Sequence, residues 1–158
     1  MPNHCYNVLF VTGPKEEKGK FVGELTKEPN SDLCRAFKPM PKELEDCPPL
    51  SNRGNHSELK KRYGHVDWYS WARHNWGTKW GCYSAELDVN KKRVKYECLT
   101  AWGPPNTELL LEISKAFPSL EFSWRYKERG MAFQGKLVIK NGELLQESDG
   151  DYHGAYGG

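Results

Sequence analysis

The chain has 158 residues, 37% hydrophobic and 28% charged, with a formal net charge of +2. That length suits one domain, or one domain carrying an insertion. The near-neutral charge excludes the dense basic footprint of a protein that neutralises many phosphates, and no apolar run of about 18 residues is present to span a membrane.

Composition is uneven. Residues 14–66 are rich in Lys, Glu, Pro, Asn and Ser, whereas residues 68–139 hold most of the aromatic and aliphatic side chains. Cys5–Val11 reads as a first strand, with Tyr6, Val8 and Phe10 alternating with Asn7 and Leu9 before the Thr12-Gly13-Pro14 turn. Lys15–Pro29 permits a short helix through Phe21 and Leu25, weakened by Gly19 and Gly23. Pro29-Asn30-Ser31-Asp32 breaks the chain. Leu33–Leu50, with Pro39, Pro41, Pro48 and Pro49, reads as extended surface chain apart from a short helix from Pro41 through Leu44. Ser51–His56 is a polar loop, and Ser57–Tyr63 is a helical turn or two ending at Gly64.

Asp67 is a good N-cap for a helix in which Trp68, Trp71, Ala72 and Trp76 recur at helical spacing, with Gly77 as its stop. Strand patterns follow. Tyr83, Ala85, Leu87 and Val89 alternate within Lys79–Val89, Asn90-Lys91-Lys92 turns the chain, and Val94, Tyr96, Cys98, Thr100 and Trp102 share one face of the next strand. After Gly103-Pro104-Pro105 a helix runs through Phe117, with Leu109, Leu110, Ile113 and Ala116 apolar. Leu120, Phe122, Trp124 and Tyr126 define a strand, Glu128-Arg129-Gly130 a turn, and Met131–Ile139 another strand. Asn141-Gly142 is a strong hairpin signal leading to a short return strand, Glu143–Gln146. Residues 149–158 read as a flexible tail.

This order predicts an α+β fold: a ferredoxin-like βαββαβ sandwich with an inserted helical and proline-rich segment at about 14–78 and an extra C-terminal hairpin, forming a single domain over 1–148. The pieces MPNHCYNVLFVTGP (1–14), FKPMPKEL (37–44), NWGTKWGCYSAEL (75–87), TAWGPP (100–105) and GMAFQGKLVIKNGEL (130–144) resemble the small phage- and plasmid-borne proteins of the YubB/Api92-like group, which have a ferredoxin-like domain. The resemblance covers about three quarters of the chain in the same order, and 75–80 and 100–105 are its most specific parts. It implies a mobile-element origin and no particular reaction. Residues 15–36 and 45–66 depart from it, since a clearer first helix is expected where glycines interrupt this one.

The densest feature is Asp67–Trp80, which places four of the six tryptophans within thirteen residues. Trp68, Trp71, Trp76 and Trp80 either seal a core or present an aromatic surface. Arg73, His74 and Lys79 give the segment positive character, and Asn75 can tie the turn by a local bond to backbone. Trp102, before Gly103-Pro104-Pro105, and Glu128 and Arg129, at the hairpin turn, complete the candidate binding residues. No nucleophile or orienting carboxylate accompanies His74, so no catalytic residue is assigned. The five cysteines lack metal-ligating or cluster-ligating spacing, and neither metal nor cofactor is expected. Cys5, Cys82 and Cys98 read as small buried residues.

A non-enzymatic protein that binds a host or phage protein through the tryptophan-rich surface, in a counter-defence role, is the leading expectation. Single-stranded nucleic acid binding, with aromatics stacking bases between cations, is the alternative. An enzyme acting on a small substrate is the third reading. The N-terminus lacks a signal-peptide pattern, and a location in the cytoplasm of a bacterial host is expected, with no membrane partner. Oligomeric state stays open, because a sheet edge can pair with a copy of itself.

Overall fold

A computed structural model describes residues 3–46 and 56–151, without the side chains of 56 and 57. Strand β1 (His4–Thr12) buries Cys5, Asn7, Leu9 and Val11 on one face and leaves Tyr6, Val8 and Phe10 half-buried on the other. Helix α1 (Lys15–Lys27) follows as thirteen unbroken residues. The interruption expected from Gly19 and Gly23 does not occur. Both lie on the solvent side with open space where a side chain would be, while Phe21 and Leu25 are fully buried one helical turn apart. Burial of those two side chains, roughly 1.5–3 kcal/mol each, outweighs about 1 kcal/mol lost at each glycine.

Four short helices come next: α2 (Leu33–Phe37), α3 (Lys42–Glu45), α4 (His56–Tyr63) and α5 (Trp68–Asn75). Asp32 caps α2, its carboxylate accepting the Cys34 and Arg35 amides, and Asp67 caps α5 through the Ser70 amide. The segment expected to be extended from Leu33 therefore begins with a capped helix. Pro48, Pro49 and the expected polar loop lie outside the described residues, except that His56 opens α4.

Strands β2 (Tyr83–Val89) and β3 (Val94–Ala101), helix α6 (Thr107–Ala116) and strands β4 (Glu121–Glu128), β5 (Phe133–Lys140) and β6 (Glu143–Asp151) complete the chain. The expected strand start at Lys79 is late by four residues, because Gly77 and Gly81 adopt positive φ and hold 76–82 as a looped turn. The sheet order is β2-β3-β1-β4-β5-β6, antiparallel throughout. Its first four strands, with α1 and α6 as the crossovers, are the ferredoxin-like arrangement, and β5–β6 is the extra hairpin. Asn141 (φ 49°) and Gly142 (φ 75°) form its turn, the pair of left-handed residues that a two-residue hairpin needs. β6 runs five residues beyond the expected Gln146, so Asp149–Asp151 pair with β5 rather than belonging to a tail; residues 152–158 lie outside the described residues.

The core lies between the helices and one face of the sheet. Phe21 stacks on Phe37 and meets Phe117 and Phe122 edge-on. Buried Asn7 accepts from the Trp124 indole and donates to Thr100 Oγ1 and the Cys5 carbonyl, so it is satisfied within the sheet. Cys5, Cys82 and Cys98 are buried, as their strand patterns imply. Among the described residues, no helix is long and apolar enough to cross a membrane.

Candidate functional site

The tryptophans divide between core and surface. Trp71 and Trp76 are buried and meet edge-on at 5.2 Å, and the Trp76 indole donates to the Lys38 carbonyl. Trp68 is half-buried and packs against the same core. Trp80 and Trp102 remain 41% and 40% exposed.

The exposed pair is brought together by the looped turn after α5. Thr78 Oγ1 donates to the Ala101 carbonyl and accepts the Ala101 amide, and the Asn106 amide donates to the Trp76 carbonyl. The Asn106 side chain donates to the His74 carbonyl and accepts the Leu109 amide, so one residue caps α6 and anchors the end of α5. These bonds set Lys79 among three rings, its Nζ 4.7 Å from the Trp80 centroid and 5.9 Å from those of Tyr69 and Trp102. Arg73 lies 5.5 Å above Tyr69, one turn away on the exposed side of α5, and Tyr69 meets Trp102 edge-on at 6.3 Å. Trp80 meets Tyr83 edge-on, and Tyr83 contacts His4. Contacts between cation and ring at an exposed site contribute about 0.5–1 kcal/mol each. Together they hold Lys79 in one orientation.

Trp102 is out of register with its strand. It does not share the buried face of Val94, Tyr96, Cys98 and Thr100, because its φ of 69° turns the chain outward after Ala101 while its amide donates to the Asn3 carbonyl. Tyr83 is redirected in a similar way. A bulge between Tyr83 and Glu86, with Ser84 at φ 51°, pairs Tyr83 with Leu99 on the open face of the sheet, while Leu87 pairs with Tyr96 on the core face. Tyr69, Tyr83 and His4 were not among the candidates from sequence. The four-residue spacing of Tyr69 and Arg73 on α5 was a signal for the first; a bulge leaves no comparable mark.

The remaining candidates fall into different places. Asn75 bonds back to the Trp71 carbonyl within α5, a local tie. His74 is exposed, its ring 5.1 Å from that of His65, whose imidazole is held below its ordinary range by burial and by His74. Glu128 does not line a surface: it is buried, and its carboxylate accepts the Gly130 and Met131 amides to close the β4–β5 turn. Arg129 is exposed on that turn, at the sheet end where Trp102 bonds Asn3. Beside the corner, a cavity of about 340 Å³ lies between Arg35, Met40, Trp68, Trp76, Lys79 and Trp80. His74 and Glu128 are not among the residues lining it.

One cluster with metal-ligand chemistry was invisible in the spacing. Donor atoms of Asp32, Cys34 and Cys82, all buried, lie within 4.8 Å of one another. Asp32 Oδ1 already accepts the Cys34, Arg35 and Cys82 amides; burial pushes the Cys34 thiol up, whereas Cys82, against its own burial, is drawn down by hydrogen bonds from Cys34 and Cys98. Because its Oδ1 takes amides from both sides, Asp32 is a structural tie between α2 and the start of β2.

Residues 79–156 match the family model described as the ferredoxin-like domain in Api92-like protein. A crystal structure of protein api92 from Yersinia pseudotuberculosis is similar across 98% of this chain and 99% of that one, with a TM-score of 0.65 at 10% identity. No curated protein matches the sequence. The fold and the matched half thus define the class, a mixed α+β protein with a ferredoxin-like domain. Within that class the chain is an Api92-like protein, and it carries an exposed Trp/Tyr cluster.

Proposed function

We propose that the protein is a non-enzymatic binding protein whose aromatic corner, Tyr69, Trp80, Trp102 and Tyr83 with Lys79 and Arg73, docks on an acidic, apolar patch of another protein. The observation that carries this reading is Lys79 held among three rings, two of them tryptophans about 40% exposed. Trp, Tyr and Arg dominate the energetics of protein interfaces, and rigid aromatics lose little entropy when they are covered. The resemblance to phage and plasmid proteins supports a host or phage protein as the partner, in a setting of interference with host defence.

The test is affinity capture from bacterial lysate, with and without phage infection, by the wild type and by Trp80→Ala/Trp102→Ala. A protein retained by the wild type is expected to lose at least tenfold in affinity for the purified double variant. Equal affinity for both proteins would exclude this corner as the interface.

A further inference from the structure

The face of the sheet turned away from the helices carries a second, separate chemistry. Strand registers set Tyr6 and Phe10 two rows apart on β1, with Lys127 beside Tyr6 and Arg125 in the intervening row on β4. Four residues along a strand is about 13 Å, room for two separate planar groups. Lys127 Nζ lies 5.2 Å from the Tyr6 ring centroid and the Arg93 guanidinium 4.4 Å from that of Phe10, so each ring already has a cation at hand.

Charge on this face is not evenly matched. Arg125 and Lys136 are direct cross-strand partners, and among the described residues neither has a carboxylate within ion-pair distance. Like charges placed opposite each other repel, and an anion seated between them relieves that repulsion. A groove of about 540 Å³ opens here. Its charged lining consists of Lys95, Arg125, Lys127 and Lys136, against the single carboxylate of Asp149. Lys95 is paired with Glu97, which also accepts the Tyr6 hydroxyl. Positive charge therefore concentrates over β4 and β5, beside the two rings.

From this we infer that the open sheet face binds single-stranded nucleic acid, with bases stacking on Tyr6 and Phe10 and phosphates held at Arg125, Lys136 and Lys127. Every base has a flat face that an aromatic ring can meet, and a duplex hides those faces. The site uses residues other than those of the aromatic corner, which it adjoins where Tyr83 shares the row of Tyr6 across β3, and it stands whether or not the corner binds a protein.

The experiment measures binding of a fluorescent ten-nucleotide oligothymidylate by anisotropy, from low to moderate salt, for the wild type, Arg125→Gln/Lys136→Gln, Phe10→Leu and Trp80→Ala/Trp102→Ala, each checked by thermal melting. Wild-type binding is expected to weaken with salt, and the Arg125/Lys136 variant to bind at least tenfold less tightly. That variant removes two phosphate contacts, so its logarithmic salt slope is expected to be shallower by about 1.4. Phe10→Leu is expected to bind at least fivefold less tightly, and the tryptophan pair to stay within twofold of wild type. No wild-type binding at low salt would overturn the inference. So would equal binding by the Arg125/Lys136 variant, equal affinity for a duplex of the same length, or equal affinity for a polyglutamate peptide, which would mark the face as a site for acidic protein.

Discussion

Asp32 is where the inserted helices and the sheet are most directly joined, and two substitutions separate what its oxygens do from what its charge does. Oδ1 accepts the Cys34 amide at 3.0 Å, the Arg35 amide at 3.4 Å and, fifty residues on, the Cys82 amide at 2.9 Å. Asp32→Ala removes the cap of α2, about 1 kcal/mol, and leaves the buried Cys82 amide without an acceptor, about 1–3 kcal/mol more. The expected loss is roughly 2–4 kcal/mol where the carboxyl is protonated in the folded chain, and it shrinks as the buried charge forms at higher pH. Asp32→Asn keeps the Oδ1 acceptor and isolates the charge. Burial, seconded by Cys82, pushes the carboxyl up from 3.8 to about 7 against the pull of the amides and Arg35. A folded value above the unfolded one means that the folded chain binds the proton more tightly. This contribution to stability is fully present below about pH 3.8 and is lost as pH rises through about 7. Three units at about 1.36 kcal/mol each give an upper bound near 4 kcal/mol. Urea unfolding at pH 4 and pH 8, followed by tryptophan fluorescence, is expected to show Asp32→Asn gaining on the wild type by up to about that amount at the higher pH, with Asp32→Ala below the wild type at pH 4 and below Asp32→Asn at both. A gap between Asp32→Asn and wild type that stays within about 0.5 kcal/mol across this range would refute the burial argument and show that the amide donors keep the carboxylate ionised.

Trp102→Gly is expected to be more stable than Trp102→Ala by about 0.5–1 kcal/mol in urea melts. Both lose the same ring, but only alanine bears the cost of φ 69°, which glycine's greater unfolded freedom partly offsets. Gly77→Ala is expected to cost about 2–4 kcal/mol, because Gly77 holds φ 78° and a Cβ there would stand 2.8 Å from the Asn106 amide nitrogen; a melting temperature unchanged from wild type would contradict that packing. Glu128→Ala is expected to cost about 1.5–3 kcal/mol by freeing the Gly130 and Met131 amides, with Glu128→Gln losing less because one acceptor remains, both read by thermal denaturation.

Much of the fold was legible because its strands and main helices follow simple periods. The alternation of Phe122 and Trp124, the helical spacing in α6 and the Asn141-Gly142 turn each report a local rule that tertiary structure leaves intact. In α1 the local rule is overridden. Glycine's cost is fixed, whereas the gain from Phe21 and Leu25 depends on a partner surface, made by Phe37, Phe117 and Phe122, that lies far along the chain. The site was half legible for the same reason. Composition marked 67–80 as unusual, but the outward turns of Trp102 and Tyr83 come from left-handed residues at Trp102 and Ser84, types that seldom adopt that backbone. The polar tie of Asp32 to Cys82, spanning fifty residues, has no sequence spacing that could announce it.

Core-sealing and surface-presenting roles for the tryptophan segment were set against each other as alternatives, and the structure makes one depend on the other. Trp71 and Trp76 are buried and fix the C-terminal end of α5 against Lys38 and Asn106. Thr78 then clamps the looped turn to Ala101, the residue immediately before Trp102. The two exposed tryptophans therefore inherit their relative positions from side chains that never reach solvent. Loosening the buried pair is expected to blunt the corner as effectively as removing an exposed ring, because a surface of a few rigid aromatics binds well only if their geometry is set before a partner arrives. The short, irregular helices between α1 and β2 are thus the scaffold that turns one end of an ordinary sheet into a pre-formed aromatic surface.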